Sequence, residues 1–163
     1  MRARDYVEIQ QSWDSTDPRT DAAYLKSGFI NDLPDSLINE IVEGFEPQDG
    51  RAISVHFQQS GGAIGRVSAD ATAFVHRNSK ANMLLNVSWP NESDADPHVG
   101  YIRRYWDALA PYTDGYYTVA SADESDQIRH SNYQGNFPRL QKIKKQYDPT
   151  NLFRLNANVR LSG

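Results

Sequence analysis

The stretch at residues 132–158 constrains the fold most, because it combines an amphipathic helix with a fixed end. Apolar residues recur there at helical spacing: Phe137, Leu140, Ile143 and Tyr147. Lysines gather in the second half, where they favour the negative end of the helix dipole. Pro149 cannot continue the helix and pushes Asp148 out of the helical region. The pattern predicts a docked terminal helix and an extended tail anchored by Leu152, Phe153 and Leu155.

Composition places the chain among ordinary globular proteins. Its 163 residues are 39% hydrophobic and 23% charged. This length and composition predict a single domain, spanning residues 1–163, with its own hydrophobic core. The net charge of −4 argues against a general nucleic-acid surface. The absence of cysteine excludes a disulfide scaffold and a thiolate metal site, and favours a reducing, cytoplasmic compartment. No apolar run is long enough to cross a membrane, and the four histidines have no metal-site spacing.

Strands and helices follow one another without regular βαβ alternation. A polar extension at 1–23 precedes the main region at 24–159. Strands are predicted at 24–30, 53–58, 63–67, 72–76, 83–89 and 116–120, and helices begin near Pro34, Val99 and Phe137. This order favours the α+β class, with an antiparallel sheet covered on one face by helices.

The helix near Pro34 is expected to be capped by Asp32, because an aspartate before a first-turn proline is a common helix start. Five large apolar residues recur on one face of this helix, and that face is expected to be buried. It consists of Leu37, Ile38, Ile41, Val42 and Phe45.

The terminal stretch also resembles a known signature. It carries Asn136, Arg139, Leu140, Lys144, Tyr147, Asp148, Pro149, Asn151, Phe153, Asn156, Asn158 and Val159 in one run. That run is similar to the C-terminal signature of berberine bridge enzyme-like oxidoreductases, which are FAD-linked enzymes of the vanillyl-alcohol oxidase type. The resemblance extends over roughly residues 20–159, as a nearly gapless match to the C-terminal half of such an enzyme.

The resemblance implies a catalytic role for Tyr117. In the family, a tyrosine on a Tyr-x-Asn strand lies beside the flavin as a base, which requires its pKa to be lowered from about 10. Here Val119 stands where that asparagine is expected. The alternative is that one of Tyr116 and Tyr117 packs in the core with its hydroxyl satisfied.

Asn86 is the second catalytic candidate, because relatives carry an acidic or amide residue near the substrate on this strand. Gln58 and Gln59 could also line a pocket. For all three, the alternative is an exposed strand residue of no special role.

Four residues are candidates for contacts with the flavin. Gly61 and Gly62 match a double glycine where the family's backbone approaches the ring; the alternative is a bulge or tight turn. Asn156 and Asn158 share one side of an extended tail and suit hydrogen bonding to the ring or to backbone. Local capping of the chain end is the alternative.

Together these features predict the substrate-binding domain of an FAD-dependent oxidoreductase acting on an alcohol, sugar-like or secondary-metabolite substrate. The family's FAD-binding module is not recognisable in this chain, so the isolated chain is expected to be colourless and inactive. A non-catalytic binding or assembly module is the main alternative, and a subunit that completes a separate flavoprotein is another. If the chain is stable alone, a homodimer, or capture of a flavoprotein, is expected through the surface formed by Gly61, Gly62, Asn86, Tyr117 and residues 156–158.

Overall fold

The computed structural model describes residues 3–11, 20–115, 131–155 and 158–161. The strands are β1 (Asp21–Ile30), β2 (Ala52–Gln59) and β3 (Ala81–Pro90). The α-helices are α1 (Tyr6–Gln11), α2 (Asp35–Glu43), α3 (Asp96–Leu109) and α4 (Phe137–Tyr147). Single 3₁₀ turns follow α3 at Ala110–Tyr112 and precede α4 at Gln134–Asn136.

The three strands form one antiparallel sheet in the order β1-β3-β2. Alternate residues of the central strand β3 point to the helices and are buried: Met83, Leu85, Val87 and Trp89. They share a core with Leu37 of α2 and with Ile102, Trp106 and Leu109 of α3. The predicted α+β class, with helices packed on one face of an antiparallel sheet, is therefore confirmed.

The opposite side of the sheet is predominantly polar. Because cross-strand partners face the same side, the register places Ser54, His56, Gln58, Asn82, Asn86 and Ser88 there together. We call these six residues the polar face. It arises because apolar and polar residues largely alternate along β3 and β2, so that β3 buries one side and Ile53 and Val55 of β2 are partly buried against the same core.

The predicted strands at 63–67 and 72–76 are wrong, since this segment consists of turns. Gly61 and Gly62 have φ of +113° and +53°, and the Ile64 amide donates to the carbonyl of Gly61, so the chain reverses at once. Arg77 then holds the later part by donating to the Thr72 hydroxyl and the Phe74 carbonyl. Side-chain bonds of this kind do not appear in a hydrophobic pattern.

The expectations for α2 are only partly met. Its N-cap position is Pro34, with no side-chain cap, and Asp32 instead forms an ion pair with Lys80. Leu37 is fully buried and Ile41 packs against the core, but the rest of the apolar face is exposed. The exposed residues are Ile38, Val42 and Phe45, at 40%, 68% and 44%.

The tail after α4 is fixed differently from the prediction. Leu152, Phe153 and Leu155 do not anchor it, because they are 68%, 77% and 83% exposed. Asp148 anchors it instead, since its carboxylate accepts hydrogen bonds from the amides of Leu152 (2.7 Å) and Phe153 (3.1 Å).

Candidate functional site

Asn86 lies at the centre of the polar face. It is half-buried on β3, directly between Leu25 of β1 and Ser54 of β2. Amide and hydroxyl side chains at adjacent strand positions can donate and accept several hydrogen bonds to one ligand. Asn86 thus lies on the polar face of the sheet, and its catalytic role stays a prediction.

A second amide pair lies further along the same face. The Asn82 amide nitrogen donates to the side-chain oxygen of Gln58 at 3.0 Å, while Asn82 itself is 2% exposed. Among the described residues the side-chain oxygen of Asn82 has no hydrogen-bond partner, although it is buried. A buried unpaired acceptor is costly, so this oxygen is well suited to receive a donor from a ligand or water. Gln59 pairs with Ala81 on the helix side, so only Gln58 belongs to this face.

The double glycine is separated from Asn86. Ser54, the partner of Asn86, lies five positions before the end of β2, which corresponds to about 17 Å of strand. Gly61 and Gly62 follow that end, and a Cβ at either would meet no atom within 4 Å. Their glycine identity is explained by their positive φ, as in the tight-turn alternative, and their surroundings leave space for a ligand.

One end of the same side of the sheet is closed by an aromatic cluster. His76 stacks on Phe29 with 4.3 Å between ring centroids, and Phe74 packs edge-on against Phe29 at 5.5 Å. Burial lowers the pKa of His76 below 6.5, with an opposing influence from the Asp114 carboxylate. His76 is thus held neutral at physiological pH, and a Cβ on Gly115 would lie 2.5 Å from its ring. The cluster is a structural support for this end of the sheet.

Tyr117 and Asn156 lie outside the described residues, as does Val119. Asn158 is described, and its side-chain oxygen is buried with no partner among those residues. Its segment is tied to α4 through the Gln141 side chain, which donates to the carbonyl of Arg160 at 3.1 Å.

The signature residues of the terminal helix hold separate segments together. The Asn136 amide donates to the carbonyls of Ala69 (2.7 Å) and Thr72 (2.8 Å), and Arg139 donates to the carbonyl of Asp70 (3.0 Å). These three bonds join the start of α4 to a segment more than 60 positions earlier. Their function is therefore structural.

The signature carboxylate of Asp148 has a similar role. Lys144 pairs with it one helical turn earlier and also donates to the carbonyl of Phe153 at 2.6 Å. The hydrogen bond from Lys144 and those from the tail amides hold the pKa of Asp148 below 3.8. The charged carboxylate thus fixes the direction in which the tail leaves α4.

Comparison with known sequences identifies the terminal region. The family described as "Berberine and berberine like" matches residues 110–160, which include α4 and the signature residues. Over residues 110–160 the chain is similar to the berberine and berberine-like family. The resemblance predicted from the sequence is confirmed, although the family match itself is confined to this terminal region.

Relatives extend the likeness beyond the berberine-like region. The chain is 31% identical to the uncharacterized FAD-linked oxidoreductase YvdP of Bacillus subtilis, covering 80% of this chain and 29% of YvdP. BBE-like 1 of Physcomitrella patens is 25% identical with a TM-score of 0.73, covering 94% of this chain and 33% of that structure. Chitooligosaccharide oxidase has a TM-score of 0.75 at 19% identity, with coverage of 88% and 33%, and shows the fold alone. The chain thus spans about a third or less of these proteins.

Two kinds of described group have chemistry that suits contact with a flavin. A flavin edge both donates and accepts hydrogen bonds, and the unpaired buried oxygens of Asn82 and Asn158 could accept from it. The open surroundings of Gly61 and Gly62 would admit a planar group close to the backbone.

Of the helices that the structure describes, none is long and apolar enough to cross a membrane.

Sequence reasoning missed Asn82 and Ser54. Asn82 was excluded because the predicted strand began one residue later, at Met83. The alternation along β3 could have identified Asn82. Asn82, Asn86 and Ser88 are at even-numbered positions and face one side of the sheet, whereas the buried apolar residues of β3 are at odd-numbered positions and face the other.

Proposed function

We propose that this chain is the substrate-binding part of an FAD-dependent oxidoreductase, with its polar face as one wall of the substrate pocket. The observation that carries the proposal is the two-sided sheet: helices cover one side, while Asn82, Asn86 and Ser54 line the other. The berberine-like match and the relatives named as FAD-linked oxidoreductases support the reaction class.

The polar face suits a substrate with several hydroxyl groups. Side-chain amides can donate to one oxygen of a hydroxyl-bearing carbon chain and accept from another, which fixes its orientation. An alcohol or a saccharide therefore fits this face better than an anion, because the six residues of the polar face include no lysine or arginine.

In this proposal the chain orients the substrate and removes a proton, and FAD, when bound, would accept the hydride. Asn86 would hold the substrate. Tyr117 would remove the proton from the substrate hydroxyl, and Gly61, Gly62, Asn156 and Asn158 would line the flavin side. The FAD-binding module would be supplied by the same gene product or by a separate chain, in a cytoplasmic location.

A chimaera would test the proposal. The matched 131-residue region of YvdP is replaced by this chain, and the flavin-loaded protein is mixed without oxygen with primary alcohols, secondary alcohols and saccharides. We expect at least one class to bleach the visible absorbance of the flavin. If the chimaera retains FAD and all three classes leave the flavin oxidised, the proposal is wrong.

Two matched pairs of variants assign the residues. Asn86→Leu should slow flavin reduction about 10-fold or more, because a lost hydrogen bond of ~1.4 kcal/mol in the transition state gives that factor, while Asn78→Leu on an exposed turn should not. Tyr117→Phe should abolish reduction, whereas Tyr116→Phe, expected on the other side of its strand, should leave it intact. Equal rates within either pair would remove that residue from the proposed site.

A further inference from the structure

A small cavity lies between helix α4 and the segment at residues 69–73. Its volume is about 180 Å³. Four of the residues that line it belong to α4 or its N-cap and recur at spacings of three or four, so they share one side of the helix. The complete lining consists of Thr72, Ala73, Asn136, Arg139, Leu140 and Ile143. None of these residues belongs to the polar face of the sheet.

The polar groups in the wall of the cavity already have partners. The amide nitrogen of Asn136 donates to the carbonyls of Ala69 and Thr72, at 2.7 and 2.8 Å. The hydroxyl of Thr72 accepts a hydrogen bond from the Arg77 guanidinium at 2.6 Å. The surface inside the cavity is almost wholly apolar. A polar group placed there would lose its hydrogen bonds to water without gaining new ones, so the interior favours an apolar group.

Arg139 is the exception, because most of its hydrogen-bond donors are unused. A guanidinium has five N–H groups, and that of Arg139 donates one hydrogen bond, to the carbonyl of Asp70 at 3.0 Å. Within the described part of the chain Arg139 forms no ion pair. The pKa of Asp70 is lowered mainly by the Ser68 hydroxyl and less by Arg139, so the Asp70 carboxylate is a weak partner of this guanidinium.

The charge of α4 favours an anionic group beside the cavity. Besides Arg139, the charged residues of α4 are three lysines, and the helix contains no carboxylate. A surface of one sign of charge attracts ligands of the opposite sign. Ile143 is 42% exposed and Arg139 is also exposed, so the cavity opens to solvent beside both residues.

The volume of the cavity suits a single ring. An apolar cavity of about 150 Å³ can hold one benzene molecule. A cavity of about 180 Å³ therefore admits a six-membered ring with a small substituent. The substituent would leave through the open side, where Arg139 lies.

We propose that this cavity binds a small aromatic carboxylate, with the ring between α4 and Ala73 and the carboxylate on Arg139. A planar guanidinium can donate two parallel hydrogen bonds to one carboxylate. The ring contributes apolar surface that leaves water when it enters the cavity. Such a ligand touches both α4 and the segment at residues 69–73, so it strengthens the connection that Asn136 already makes between them.

Three probe molecules separate the two parts of the ligand. Benzoate has the ring and the charge, benzyl alcohol has the ring without the charge, and acetate has the charge without the ring. We expect the chain to bind benzoate with a dissociation constant of about 1 mM or tighter, and about 10-fold or more tightly than the other two. Amide chemical shifts in an NMR titration measure the binding, and they should change most at residues 72–73 and 136–143.

Two matched pairs of variants locate the ligand. Arg139→Gln should weaken the binding of benzoate about 10-fold, because it removes the paired donors. Lys142→Gln removes the same charge from an exposed residue of α4 outside the cavity and should weaken it less than about 2-fold. Ala73→Leu occupies part of the cavity and should abolish binding, whereas Ala71→Leu, outside the lining, should not. Far-ultraviolet circular dichroism checks that each variant is folded.

The natural chain alone can overturn the proposal. Unchanged amide shifts at about 10 mM benzoate would do so. Equal affinity for benzoate and benzyl alcohol would reject the contact with Arg139, and equal affinity for benzoate and acetate would reject the cavity. Binding that survives Ala73→Leu but is lost in Lys142→Gln would place benzoate on the outer surface of α4, which also rejects the proposal.

Discussion

Asn136 offers the sharpest test of how the berberine-like signature holds the fold. Its amide nitrogen donates to the carbonyls of Ala69 and Thr72, at 2.7 and 2.8 Å, and the residue is 9% exposed. Asn136→Asp keeps the shape of the side chain but removes both donors. It also places a carboxylate against two carbonyl oxygens.

The expected loss follows from those two bonds. Each contributes a net ~0.5–1.5 kcal/mol, so removing both lowers the free energy of unfolding by ~1–3 kcal/mol. The repulsion between the new carboxylate and the carbonyls places Asn136→Asp toward the upper end of that range. A loss of ~2 kcal/mol lowers the Tm of a domain of this size by about 4–8 °C.

Thermal and urea denaturation measure this change, and hydrogen exchange locates it. Protection should fall first at residues 69–72 and the start of α4, while β3 stays protected. Asn78→Asp makes the same chemical change at an exposed turn and should alter stability by no more than ~0.5 kcal/mol. If Asn136→Asp is as stable as Asn78→Asp, the two bonds do not hold the segment and the structural assignment of the signature fails.

Three further expectations follow from the described residues and the sequence. Asp148→Asn should lower the free energy of unfolding at neutral pH, and this loss should shrink as pH falls below 3.8. The folded-state pKa of Asp148 is lowered, so the stability that its carboxylate contributes disappears as the group becomes protonated in that range. Urea denaturation of both proteins at several pH values checks this. His98→Gln should reduce the loss of stability that occurs as pH falls below 6.5. Burial and the Arg51 guanidinium lower the pKa of His98, so the unfolded chain binds the proton more readily than the folded chain. Denaturation as a function of pH measures this dependence, and an unchanged slope of stability against pH would contradict the prediction. The isolated chain should bind FAD weakly and be colourless, since the family's FAD-binding module is not recognisable in it; a micromolar dissociation constant in a flavin titration would refute this.

The sequence predicted the main elements of the sheet because their signals are periodic. Alternation in β3 and the helical spacing in α3 each reflect one buried side, which local pattern reports well. The predicted apolar face of α4 is wrong in part, because Phe137 is buried but Ile143 and Tyr147 are 42% and 77% exposed. The segment at 60–80 was misassigned because it is held by particular bonds, such as Arg77 to the Thr72 hydroxyl and Asn136 to Ala69. Those partners are distant or irregular in sequence and have no period.

The exposed apolar residues show a second limit of sequence reasoning. The pattern of α2 predicts an apolar face but not what covers it, and Val42 and Phe45 are exposed. The tail likewise contains three apolar residues that do not anchor it, because Asp148 supplies the fixed point. The alternation of the sequence was enough to place Asn86 on a strand. Its cross-strand neighbours Ser54 and Leu25 could be identified only from the register of the sheet.

Thiol labelling of the polar face tests the central claim most directly. A cysteine is introduced at Asn86, or as a control at Val42, which is 68% exposed on α2. Each variant is labelled in the isolated chain and in the flavin-loaded YvdP chimaera. We predict that Asn86→Cys reacts in the isolated chain and is protected in the chimaera, while Val42→Cys reacts equally in both. Equal labelling of Asn86→Cys in both proteins would contradict the placement of the polar face against the flavin and substrate.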